Sequence, residues 1–271
     1  MKPLLWALLL SFVLSLAIVY GLCRGSLRAL ALDHPNARSL HASPIPRTGG
    51  LGLMASVLVA WLAMSAALPP VLWGSVVALL AVSLLEDFRG VPIALRLLTH
   101  GAAAALTAEM LFHGTAGILI VIVLAAAIVW VTNLYNFMDG SDGLAGGMAV
   151  FGFSAYGIAA WLAGRADFAA AEFCIAAAAA GFLAFNFHPA RIFLGDAGSI
   201  PLGFLAAGLG LLGWRDGLWP IWFPVLVFSP FIVDASATLA RRLRRREKIW
   251  QAHREHYYQR LVRMGWGHRN T

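Results

Sequence analysis

Apolar residues run through this chain in long blocks almost free of charge, separated by short polar segments rich in Gly, Pro, Asp and Arg. A helix that stays apolar on every face for about 20 residues matches the thickness of a bilayer's hydrocarbon core rather than one side of a soluble core. The pattern predicts nine spanning helices, over Leu4–Leu22, Gly50–Leu68, Val71–Leu85, Leu97–Phe112, Ile118–Leu134, Leu144–Leu162, Phe168–Phe187, Ile200–Leu212 and Leu218–Ala240. The first is read as a span and not a cleaved signal, because no small-x-small triplet closes it and Leu22 before Cys23 is too bulky for a lipoprotein signal.

Composition agrees. With 60% apolar and 12% charged positions in 271 residues, a water-soluble enzyme is excluded. The expected class is an all-α polytopic membrane bundle of about nine to ten helices. It forms one domain over 1–271 that ends in a basic segment at 241–271. With nine spans and an outside amino terminus, only Lys2, Arg165 and Arg215 of the 20 Lys and Arg fall outside, as positive-inside topology requires. The expected location is the inner (plasma) membrane, with the carboxyl terminus and active site cytoplasmic. Cys23 and Cys174 sit in apolar runs and read as buried thiols.

The net charge of +7 comes largely from Arg241, Arg242, Arg244, Arg245, Arg246 and Lys248 after the last span. They serve as a stop signal that meets anionic lipid headgroups, and a substrate role for some of them stays open. No basic face interleaved with aromatics points to nucleic acid.

The acids carry the functional signal. Glu109, Asp167, Glu172 and Asp216 fall at or near the outer side, while the others gather in inner loops beside His, Asn and Gly. Asp33 to His41, with Arg38, leads through prolines to Arg47, Gly49 and Gly50, where bare N–H groups of a helix start would suit phosphate; a plain Pro-rich turn is the alternative. Glu86 and Asp87 are adjacent at a helix end, and at ~4 Å with an effective dielectric of about 20 their repulsion is about 4 kcal/mol, which a divalent cation relieves. Asn133, Asn136 and Asp139 recur every third residue on one helix face before Gly140, Asp142 and Gly143. Asp196, between Gly195 and Gly198, is either a helix N-cap or a carboxylate open to a metal or phosphate. Asp234, inside the last span, needs a partner such as Arg241 or Arg242. His253 and His256 share a face and favour phosphate contact over zinc, with plain solvation the alternative.

Five polar loops on one membrane face describe an interfacial site for Mg²⁺ holding a diphosphate, hence phosphoryl transfer. These motifs, in this order over most of the chain, resemble the polyprenyl-phosphate N-acetylhexosamine-1-phosphate transferases, the MraY/WecA-like enzymes of glycosyltransferase family 4. The loop from His253 to Leu261 looks closest to the O-antigen-initiating branch. The resemblance implies a UDP-N-acetylated sugar and undecaprenyl phosphate as substrates, UMP as product and Mg²⁺ (or Mn²⁺) as cofactor, with a homodimer left open. It implies that Asp196 and Asp87 bind the metal, that Asn133, Asn136, Asp139 and Asp142 shape the nucleotide-sugar site, and that His253 and His256 help hold its phosphates.

Asp87, Glu86 and Asp139 are the expected catalytic carboxylates. Arg38, Arg47, Arg191 and His41 are expected to help bring the two anions together. Glu86 stands where the family usually has aspartate. Since a phosphomonoester's second pKa near 6 leaves the lipid nucleophile mostly dianionic at about pH 7, Glu86 is expected to position and contact metal rather than act as a base. A solute transporter is the competing class, but it would place polar groups at the midplane in repeated halves.

Overall fold

The computed structural model describes residues 2–24, 28–35, 40, 43–248 and 253–271, with side chains from position 5 onward. Helix α1 (Lys2–Leu22) is followed by a small antiparallel pair, β1 (Leu32–Asp33) and β2 (Ile45–Pro46). Seven long helices come next: α2 (Gly49–Ala63), α3 (Pro70–Arg89), α4 (Ile93–Phe112), α5 (Ile118–Phe137), α6 (Leu144–Leu162), α7 (Ala166–Asn186) and α8 (Asp196–Arg215). Short α9 (Trp222–Val227) and α10 (Ser229–Arg244) precede a carboxyl-terminal segment of α11 (Tyr257–Leu261), a π turn (Val262–Trp266) and α12 (Gly267–Asn270). This is an all-α polytopic architecture.

Among the described residues six helices are long and apolar enough to cross a membrane: α1, α3, α5, α6, α7 and α8. The other expected spans differ for visible reasons. Helix α2 has 15 residues, and α4 carries Arg96, His100 and Glu109. The ninth, expected as one helix from Leu218 to Ala240, breaks at Phe228, because Pro230 in the first turn of α10 has no N–H to continue the ladder. Large apolar side chains on the outer surface, among them Leu98, Leu106, Ile118, Leu119 and Leu162, suit contact with lipid tails.

Helix α8 is the hub, almost wholly buried between α3, α5 and α2. Close approach depends on small residues, the usual device where helices cannot rely on hydrophobic expulsion from water. A Cβ on Gly203 would lie 2.9 Å from the Thr132 backbone, and one on Gly50 would run into the Gly198 backbone and the Leu194 carbonyl. On the other side α7 packs α1 and α6, with Ser11 and Ser15 each donating a 2.7 Å bond to the α7 carbonyls of Cys174 and Ala178. Both cysteines are free, with Cys174 buried as expected. Glu172 is one of the acids expected at or near the outer side. It is fully buried in α7, and neither carboxyl oxygen has a hydrogen-bond partner among the described residues.

Because the Gly50–Gly198 contact is backbone to backbone, Gly50→Ala is expected to force α2 off α8. Thermal unfolding in detergent should show a loss of about 1–3 kcal/mol, with the same change at Gly74, where a Cβ would meet nothing within 4 Å, close to neutral.

Candidate active site

The last turn of α3 runs to Arg89, further than the apolar pattern indicates, and ends where Gly90 turns at φ +72°. Glu86 and Asp87 are therefore helical. Asp87 is buried, and its carboxylate accepts from the two first N–H groups of α8, Asp196 at 3.2 Å and Ala197 at 2.9 Å. A carboxylate on a helix N-terminus satisfies orphan donors and sits at the positive end of the helix dipole. Arg47 closes the other side, donating 2.8 Å to the Asp87 carbonyl with its Nε 3.8 Å from the carboxylate.

Gly195 makes this approach possible. At φ +72° it precedes α8, and a Cβ there would strike the Arg47 carbonyl and crowd Asp87 at 3.0 Å. It also takes the N-cap position, so the capping alternative for Asp196 does not hold. The Asp196 side chain instead receives Asn136 Nδ2 at 2.9 Å and Arg96 Nη2 at 2.6 Å. Asn136 donates as well to Ser199 Oγ at 2.8 Å.

Arg96 bridges two acids. Its Nη1 donates to Glu86 at 3.1 Å, and the other Glu86 oxygen accepts from the Val91 N–H. Sequence reasoning missed Arg96. A lone Arg three residues into α4, ten after Glu86, was the available signal, hidden because it falls just outside the span predicted from Leu97.

Asp139, just past α5, faces the same cluster. Burial, then the charges of Asp196 and Asp87, push its carboxyl up to about 8, while the Gly195 N–H holds it down. Among the described residues, no three His, Cys, Asp or Glu side chains form a ready metal-ligating group. When ionised, Glu86, Asp87, Asp139 and Asp196 outnumber the guanidiniums of Arg47 and Arg96 and leave a surplus of negative charge. Burial and that surplus are why Asp139 holds its proton.

The remaining expected residues scatter more widely. Asn133 lies one turn earlier on α5, donating 2.8 Å to the Val129 carbonyl. Asp142 does not cap α6, whose N-cap is Gly143. It accepts from the Ala190 N–H at 3.1 Å and pairs with His188 at 2.7 Å, while His268 lies 3.6 Å away with its ring stacked on His188. Arg191 is not brought to the carboxylates. It donates to the Ala184 carbonyl and lies 5.0 Å over the Phe185 ring. The bare N–H groups expected at the start of α2 are engaged: Gly49 and Gly50 donate to the carbonyls of Phe193 and Leu194 at 2.9 and 2.7 Å. Arg38 and His41 lie outside the described residues.

Asp234 does not pair with Arg241 or Arg242. Its carboxylate receives the N–H groups of Tyr257 and Tyr258 at 2.9 and 3.0 Å and lies 3.1 Å from His256 Nδ1. His256 is thereby buried, with its ring stacked on those of Phe137 and Tyr258. His253 lies 4.9 Å from His256, ring centre to ring centre. Burial, with the charges of His256 and Arg242, pulls it down to about 4, so it is neutral at about pH 7. Tyr258 Oη reaches the Phe137 carbonyl at 3.2 Å, fastening the carboxyl-terminal segment beside Asp139.

A carboxyl raised in the fold binds a proton that the unfolded chain releases, so its contribution to stability falls as pH rises from about 4 to about 8. In chelator, the melting temperature of the protein should therefore fall with rising pH across that window. Asp139→Asn should flatten the slope, and an unchanged slope would remove Asp139 as its source.

Residues 69–213, more than half of the chain and containing α3 to α7 and all but the last two residues of α8, match the model of Glycosyl transferase family 4. A "Probable undecaprenyl-phosphate N-acetylglucosaminyl 1-phosphate transferase" of Bacillus subtilis (strain 168) is 28% identical over 97% of this chain and 78% of its own length. Phospho-N-acetylmuramoyl-pentapeptide-transferases are similar over shorter stretches. That of Anoxybacillus flavithermus is 38% identical over 35% of this chain, and that of Geobacillus thermodenitrificans 46% over 30%. Those matches span only 30% and 25% of the two relatives' own lengths. With its acid pair, asparagine face and Gly-flanked aspartate all inside or at the edges of the matched helices, this chain belongs to glycosyl transferase family 4.

Proposed function

We propose that this protein transfers the 1-phosphate of an N-acetylated aminosugar from a UDP-sugar to undecaprenyl phosphate, releasing UMP. The polyprenyl-diphosphate-linked sugar so formed starts an O-antigen or related cell-envelope polysaccharide. The site faces the cytoplasm from the plasma membrane, where the water-soluble donor and the lipid acceptor meet. One observation carries the reading: Asp87, Asp139 and Asp196, far apart in sequence, converge at one end of the bundle beside Asn136, Arg47 and Arg96. Family membership and the name of the Bacillus subtilis relative support it.

The reaction joins two anions. A lipid phosphate oxygen attacks the sugar-bearing phosphorus in line, the bond from that phosphorus to the bridging oxygen breaks, and UMP leaves with the electron pair. Arg47 and Arg96 supply fixed positive charge where negative charge gathers. The carboxylate surplus suits Mg²⁺, or Mn²⁺, since such ions commonly take one or two carboxylates and complete their shell with substrate phosphates and water. Asp196 and Asp87 would hold the ion, which when bound neutralises the diphosphate. Glu86 holds Arg96 and the turn at Val91, a positioning role in which its longer side chain does no harm. Asn133 and Asn136 line the approach for the nucleotide sugar, with Asp142 ordering the loop beside them.

Substrate-dependent UMP release by detergent-solubilised protein, with undecaprenyl phosphate, Mg²⁺ and a panel of UDP-sugars, tests the reading and separates it from transport. Asp196→Asn should cut release by roughly 10²–10³-fold while the protein stays folded in the membrane, whereas Glu86→Gln should cost less than about tenfold because a neutral acceptor still serves Val91 and Arg96. Wild-type-like turnover by Asp196→Asn would refute the role of that carboxylate.

Arg96→Ala leaves Glu86 and Asp196 without their shared counter-ion. Millimolar Mg²⁺ should raise its melting temperature more than that of the wild type, and equal shifts would speak against a cation at this cluster.

A further inference from the structure

Away from the carboxylate cluster, the chain builds a second concentration of charge, of opposite sign. Arg241 in the last turn of α10 and Arg245 just past it face Arg254, Arg260 and Arg263 of the carboxyl-terminal segment across a hollow of about 270 Å³. Glu255 is the one carboxylate in its wall. It is already engaged, 2.7 Å from Arg242 Nη1 and 3.5 Å from Arg245, and nearby Glu247 lies 2.9 Å from Arg242. Among the described residues, Arg241, Arg254, Arg260 and Arg263 have no carboxylate within ion-pair distance. Arg241 and Arg260 both lie over the Tyr257 ring, at 4.8 and 5.6 Å. Like charges held this close, with Glu255 shared between Arg242 and Arg245 and the other four without an acid, favour an anion of more than one charge in the space between them.

Exposed apolar side chains on the same segments indicate which anion. Leu243, Met264 and Trp266, on the same two stretches of chain, are 65%, 74% and 55% exposed. Arginines alternating with exposed apolar and aromatic side chains characterise a surface that rests in the headgroup layer, where the charges meet phosphate and the apolar groups reach the acyl boundary. A site for a freely dissolved phosphate would need no exposed apolar groups on the segments that carry it.

We infer that this arginine hollow binds the phosphate headgroup of an anionic phospholipid and so seats the carboxyl-terminal segment on the membrane surface. None of its five arginines touches Asp87, Asp139 or Asp196, so the site is separate from the one assigned to transfer.

The test uses the full chain, purified in detergent and titrated with phosphatidylglycerol or phosphatidylcholine, with bound lipids counted by native mass spectrometry. The wild type should retain phosphatidylglycerol in preference. R254Q/R260Q/R263Q should need on the order of a hundredfold more of it for the same occupancy, at about a fivefold loss per arginine, and R241Q/R245Q should lose retention in the same direction. Equal retention by the variants and the wild type would overturn the inference. Pyrophosphate and UDP form the second arm. If either displaces phosphatidylglycerol from the wild type and binds it in a way that R254Q/R260Q/R263Q abolishes, the hollow takes a free diphosphate and the lipid assignment falls. Should the variants not fold, the wild type alone decides: its preference for phosphatidylglycerol must weaken as KCl rises to about 0.5 M, and retention indifferent to salt would refute the site.

Discussion

The contact on which the rest depends is the one between the Asp87 carboxylate and the first two N–H groups of α8. It places a negative side chain from the end of one buried helix on the positive start of another, and each would be costly to leave unmatched at the edge of a bilayer. Arg47 anchors the chain before α2 to the same residue, and the backbone of Gly49 and Gly50 is bonded to the strand of chain leading into α8. Three parts of the sequence more than 35 positions apart thus meet around one residue. Asp196, in the first turn of α8, takes its orientation from that arrangement.

Most of the architecture was legible in the apolar blocks, since only a helix satisfies its own backbone within a membrane. The start of α6 at Leu144 and the extent of α5 follow the pattern closely. It was less informative wherever a helix carries charge at its end. Glu86, Asp87 and Asp196 are polar and so fell outside the spans, yet all three lie in helical turns whose neighbours satisfy them. Pro230 interrupts a run that is apolar enough to read as continuous.

The candidate site divides along the same line. Spacing put Asn133, Asn136 and Asp139 on one helix face, yet α5 ends at Phe137 and Asp139 reaches the Asp196 cluster from just past it. Of the glycines beside Asp196, read as opening it to a metal or phosphate, Gly195 admits Arg47 and Asp87 instead. Long-range pairing was not legible. Nothing in the local sequence tells Arg96 to reach across to Asp196, a hundred residues on, or Asp234 to accept from the backbone of Tyr257 and Tyr258 instead of a nearby arginine. Such choices depend on which backbone donors the tertiary fold leaves without partners.

The grip of Asp234 on the carboxyl-terminal segment has a mechanical side. That segment is held at Tyr257 and Tyr258 both to Asp234 of α10 and to the Phe137 carbonyl, and near its other end His268 bonds Ser141, so it works as a strut between the broken ninth helix and the turn that carries Asp139. A tilt of α10 about the break at Phe228 would be delivered to the reactive turn as a push or a pull rather than lost in slack chain.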